Sequence, residues 1–223
     1  MTLSEPTTLA SNWVLAAVAV ALAGRLHRAG PERRPQRLWA AAFLVGATAA
    51  LAGGVVHGFA ASLSPFAHDL LWKIVLVGAG LAGSLILAGA VLASLGGSWR
   101  AALLAGAAGQ LAVYLGLVSG SNDIRLAVGN GAATIVALLA LTVATATYDR
   151  RRLVWILLAL ALSAAGLVAQ RTGLTAAVLN HNDVCHLLQT AALWPFYRAG
   201  LRLRELQLAR GPVGGPDRRP EAP

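Results

Sequence analysis

Five histidines and a few acids are the residues of this chain best suited to chemistry. The richest stretch is Asn180-His181-Asn182-Asp183-Val184-Cys185-His186, followed by Gln189. On a helix, Asp183 and His186 are i,i+3 neighbours and Asn182 and His186 are i,i+4, so Asn182, His186 and Gln189 run as one stripe. A carboxylate and an imidazole one turn apart can hold one metal ion, and a histidine from another helix can complete the site. Zinc takes nitrogen and oxygen ligands tetrahedrally and, when catalytic, keeps a position for water. His57 and His186 with one of Asp183, His181 or His68 meet that count. Cys185 points about 100° away from His186. Asn180 or Asn182 suits an N-cap. With Asn182 as cap, His181 precedes the helix and can swing toward the stripe. With an earlier start, the five-residue gap turns it about 140° from His186. Capping and bonding to lipid heads is the simpler reading of any one of these groups; the cluster as a whole favours function.

The elements that must carry these groups are apolar helices. Of 223 residues, 57% are hydrophobic and 12% charged, about half the charge of a soluble domain. The apolar residues come in runs long enough to cross ~30 Å of hydrocarbon as helices. Open strands would leave unpaired backbone groups in lipid. The fold class is therefore all-α, a seven-span membrane bundle. Its expected spans are Leu9–Gly24, Leu38–Ala61, Leu70–Leu95, Ala101–Val118, Ile124–Tyr148, Leu153–Gln170 and Asn182–Gly200. Residues 1–200 form the membrane domain. Residues 201–223 form a basic tail, Gly/Pro-rich and expected to be disordered beyond Ala209. Gly116-xxx-Gly120 permits close helix packing. Trp72-Lys73 reads as an interfacial anchor with a snorkelling lysine, and Gln110, Tyr114 and Asn130 as groups bonding between helices.

A net charge of +9 would suit nucleic acid, but its placement points elsewhere. Fifteen of the eighteen Lys and Arg residues fall on alternate connections and the tail, leaving Lys73, Arg125 and Arg171 on the other side. The positive-inside rule then sets the N-terminus outside and the C-terminus in the cytoplasm. The basic side faces anionic lipid heads, and nucleic acid is not expected as a partner. The first ten residues carry no Lys or Arg, unlike the start of a cleaved signal peptide. Arginine outnumbers lysine, which points to a GC-rich bacterial genome and a plasma (inner) membrane location. The lone Cys185 excludes an intrachain disulfide. In this orientation His57, His68, His181 and His186, with Asp69 and Asp183, share one outer layer; His57 lies ~28 Å above the inner end of its span at 1.5 Å per residue.

A His near the outer end of the second span, an Asp about a dozen residues on, and a His-bearing start to the seventh span resemble the seven-span hydrolases that include alkaline ceramidases and adiponectin-type receptors. That resemblance implies zinc held by three histidines, an assisting Asp, and hydrolysis of a lipid amide or ester. His57 and His186 match two ligands and Asp69 the assisting acid. Gly53 stands where the family has Ser, and Asn182 where it has His, so Asp183 or His181 would substitute as ligand. The mechanism implied is a water bound to a metal held by His57, His186 and Asp183, its pKa lowered to ~7 and its proton taken by Asp69, so that Asp69 and Asp183 are the catalytic acids, with Asn182 and Gln189 supporting the ligands. The Asn-His-Asn-Asp-x-x-His segment also resembles the DUF6962-like bacterial membrane proteins. Two alternatives use the same histidines without hydrolysis. One is a receptor or transporter binding an ion, a proton or a small ligand; the other is b-haem electron transfer.

Overall fold

The structure, a computed structural model, describes residues 3–30 and 33–209. Among them are seven α-helices, one short 3-10 turn and no named strand: α1 Pro6–Ala29, α2 Arg34–Gly58, α3 Pro65–Ser94, α4 Gly97–Gly120, α5 Ile124–Ala144, α6 Arg150–Thr172 and α7 His181–Ala209. Six of the seven, α1 to α6, are long and apolar enough to cross a membrane. α7 carries polar residues at its start and arginines toward its end. The expected tail beyond Ala209 lies outside the described residues.

Local chemistry sets most helix starts. Proline sits in the first turn of α1, α2 and α3, where its missing N–H is no loss. Ser64 caps α3 by accepting from the Ala67 N–H at 3.2 Å, and Asp149 caps α6 through the Arg152 N–H at 3.1 Å. Asp123 caps α5 through the Arg125 N–H at 2.8 Å; its hydrogen bonds from the Arg125 side chain hold its carboxyl below the ordinary aspartate range. α5 stops at Ala144, short of the expected Tyr148. There Thr142 and Thr145 donate their hydroxyls to the carbonyls of Leu138 and Leu141, at 2.7 and 2.8 Å, and such local bonds compete with helix continuation.

Consecutive helices alternate in direction. α1 lies between α2 and α7, α3 packs on α2, and α6 packs on α7, while α4 and α5 attach through α3. Glycines on these contacts, rather than Gly116 and Gly120, bring the helices together. A Cβ on Gly54 would lie 2.8 Å from Trp13 Cδ1, and one on Gly89 would lie 2.9 Å from the Pro35 carbonyl oxygen. Gly116 and Gly120 have nothing within 4 Å. The largest core gathers Leu26, Trp39, Leu87, Val91, Leu138, Ile156 and Leu203, with Trp39 donating to the Ile86 carbonyl at 2.8 Å.

The polar groups between helices follow the same economy of satisfied bonds. Gln110 donates to Asn130 Oδ1 and Thr134 Oγ1, both at 3.0 Å, and Tyr114 to the Leu76 carbonyl at 2.6 Å. Lys73, expected to snorkel, reaches toward the end of α4. Its ammonium donates to the carbonyls of Val118 and Ser121 at the end of α4, where the helix dipole favours a cation. Arg152, one of the basic residues read as a topology signal, is 1% exposed. It donates to Ser94 Oγ at 3.1 Å, while Arg202 Nε holds both Asp149 oxygens at 2.9 Å.

Candidate functional site

The site forms where the start of α1, the end of α2 and the start of α7 meet. Gly53, Gly54 and Gly58 make the α2 face that α1 rides on. A Cβ on Gly58 would lie 2.9 Å from Leu9 Cβ, and one on Gly53 would lie 3.4 Å from Asn12 Oδ1. This close approach lets Ser11 and Asn12 reach the first turn of α7.

α7 begins on an asparagine cap. Asn180 Oδ1 accepts the N–H groups of Asn182 and Asp183, at 2.8 and 3.0 Å, and Asn180 Nδ2 donates to Thr8 Oγ1 at 2.9 Å. His181 is thus already on the helix, five residues before His186, which at 100° per residue turns it about 140° from His186. Asp183 is 0% exposed. Its Oδ2 accepts the Asn180 N–H at 3.0 Å and its Oδ1 faces the Ser11 hydroxyl at 3.3 Å. A buried carboxylate held by donors in this way fastens α7 to α1.

His186 points into the same junction. Its Nδ1 lies 3.1 Å from Ser11 Oγ and 3.1 Å from Asn12 Nδ2. Asn12 Nδ2 also donates to the Thr8 carbonyl at 3.0 Å, which fixes which end of the amide is the nitrogen. From α2, His57 meets His186 edge to face, with ring centres 6.5 Å apart at 65°. His57 Nδ1 lies 3.5 Å from Glu5 Oε2, an oxygen that is buried and without a hydrogen-bond partner. Neither Nε2 atom is used in a hydrogen bond among the described residues.

The remaining expected residues lie apart from this pair or face other partners. Asp69 and His68 are exposed at the start of α3, and the Asp69 carboxylate accepts from Asn122 on the α4–α5 connection. Asn182 accepts from Gln170 of α6 at 3.2 Å, and Gln189 donates to Cys185 Sγ at 3.4 Å. The stripe expected on one helix face is therefore shared among three partners, with His186 alone turned to α1. Glu5, Thr8, Ser11 and Asn12 were not singled out from the sequence. Their signal was present: Thr8, Ser11 and Asn12 are spaced i, i+3, i+4 within an otherwise apolar run, which puts them on one face.

As a metal site the arrangement is short of ligands. No group of three or more His, Cys, Asp or Glu among the described residues could hold a metal ion. The Asn12 amide also gives a hydrogen to His186 Nδ1, which leaves the ring proton on Nε2, the nitrogen a metal would need. The residues present do not fit zinc as they stand.

Six helices long and apolar enough to cross a membrane mark the class as a helical membrane protein. Within that class, a family model described as a family of unknown function, DUF6962, matches residues 7–205, and the chain belongs to that family. No curated protein and no solved structure matches the chain. The match takes in His57, Asp183, His186, Ser11 and Asn12, with Glu5 just outside it, and lends no support to the ceramidase resemblance.

Proposed function

We propose that this protein is a membrane receptor or transporter of the non-enzymatic kind, and that the His57–His186 pair is its ligand site. The observation that carries this reading is the state of the two rings. They meet edge to face from different helices, His186 Nδ1 is taken up by Ser11 and Asn12, His57 Nδ1 lies 3.5 Å from the Glu5 carboxylate, and neither Nε2 is hydrogen-bonded among the described residues. Polar groups buried in a membrane bundle are costly and mark ligand or ion pathways. The charge distribution supports an N-out, C-in arrangement over seven spans in a bacterial inner membrane, which places the pair in the outer leaflet.

The test is native mass spectrometry of the protein released from nanodiscs. A small-molecule adduct held by the wild type and lost in both His57→Leu and His186→Leu supports the reading. The same adducts in all three proteins contradict it.

A second reading, a zinc-dependent hydrolase of a lipid amide or ester, draws on one observation. Glu5 beside His57 Nδ1 is the carboxylate–histidine arrangement that orients metal ligands. It requires a third ligand and a change at Asn12. One equivalent of zinc in the purified protein, lost on substituting either histidine, would favour it over the first reading.

A further inference from the structure

The two histidines are held by unlike partners, and this sets what each offers a ligand. Asn12 Nδ2 must face the Thr8 carbonyl at 3.0 Å, because two carbonyl oxygens would repel. The same amide nitrogen then brings its second hydrogen to His186 Nδ1 at 3.1 Å. That nitrogen has to accept. A hydrogen on it would oppose the Asn12 N–H, so the ring proton belongs on Nε2. Ser11 Oγ lies 3.1 Å from the same nitrogen, and against an accepting Nδ1 it must turn its single hydrogen there in preference to the Thr8 carbonyl at 3.1 Å and Asp183 Oδ1 at 3.3 Å.

At His57 the neighbour is the opposite kind. Glu5 Oε2 is buried, has no hydrogen-bond partner, and lies 3.5 Å from Nδ1. A carboxylate there draws the ring proton onto Nδ1 and leaves Nε2 with a lone pair. The charged groups against the pair are thus Glu5, preceding α1, and Asp183, on α7. Both are acids: Glu5 lies on the Nδ1 side of His57, and Asp183 is linked to His186 Nδ1 through Ser11.

We propose that the pair presents one donor, His186 Nε2–H, and one acceptor, His57 Nε2, and that it recognises a hydroxyl group, which takes a hydrogen bond from the first and gives one to the second. This rests on the ligand-site reading above and names the chemistry of its ligand. An oxygen about 2.8 Å from a nitrogen of each ring fits between ring centres 6.5 Å apart. An ether can only accept, and an ammonium can only donate, so each satisfies half of the site. Asn12 is the positioning residue, acting on the ligand through His186.

The experiment uses the full chain in nanodiscs with ring-15N-labelled histidine, titrated with 1-decanol and, separately, with its methyl ether. In the free protein, His186 carries its proton on Nε2 and His57 on Nδ1. Decanol shifts both rings, and the ether binds about tenfold more weakly for the one hydrogen bond it lacks. Asn12→Leu moves His186 toward the Nδ1–H form and erodes the preference for the alcohol. Like tautomers on the two rings overturn the proposal. Ether binding as tight as alcohol binding overturns the hydroxyl assignment while leaving an open ligand site. Silence of both rings toward both compounds overturns the site itself.

Discussion

Asp183 shows how much one side chain can organise. It is fully buried, yet it takes the Asn180 N–H and faces the Ser11 hydroxyl, so its charge is spread over donors from two segments. Asp183→Ala leaves the Asn180 N–H without its acceptor and is expected to cost about 2 kcal/mol, read by thermal or denaturant unfolding in detergent. Asp183→Asn keeps an oxygen acceptor and costs less; an alanine variant as stable as the wild type would show that the carboxylate does not tie α7 to α1. The residue scale was only partly legible in the sequence. The pairing of His57 with His186 followed from their depths. The partner of Asp183 did not, because an i,i+3 relation to His186 pointed to a shared metal while both residues bond to α1. Hydrogen-bond partners across helices separated by well over a hundred residues depend on rotation about each helix axis, which an apolar run of nearly uniform hydropathy hardly encodes.

At the scale of elements, glycine and the cap of α6 carry the sharpest expectations. A Cβ on Gly80 would stand 2.2 Å from Tyr114 Cε1, and one on Gly89 would stand 2.9 Å from the Pro35 carbonyl oxygen. Gly80→Ala and Gly89→Ala are each expected to destabilise by about 1–3 kcal/mol through overpacking. Gly109→Ala and Gly116→Ala meet nothing within 4 Å and are expected to stabilise α4 by about 0.5–1 kcal/mol. One series of unfolding curves separates the two groups. Composition showed that small residues would permit close packing; it could not show which glycines do so, because Gly116-xxx-Gly120 and Gly54-xxx-Gly58 read alike. Asp149 joins two helices, as cap of α6 and acceptor of Arg202 on α7. Asp149→Ala loses the cap, worth about 1 kcal/mol, and leaves a partly buried guanidinium without its carboxylate. The expected loss exceeds that of Arg202→Ala, which keeps the cap.

For the whole molecule, the seven helices and their order were legible because an apolar run of the right length has few alternatives in lipid. The lateral arrangement was not. Nothing in the composition set α4 at the edge, where only Tyr114 and Val118 are buried, or put α1 against both α2 and α7. The proposed N-out, C-in topology predicts that a fluorescent protein fused after Ala209 fluoresces in bacteria, and that alkaline phosphatase inserted after Ser62 is active. The reverse pattern would put the histidine pair on the cytoplasmic side. The central claim, that α2 and α7 bring His57 and His186 into one site, is tested most directly by ring-15N spectra of the full chain in nanodiscs, comparing wild type, His57→Gln and His186→Gln. Each substitution should shift the resonances of the other histidine while leaving those of His27 in place. Spectra in which neither substitution moves the other ring would contradict it.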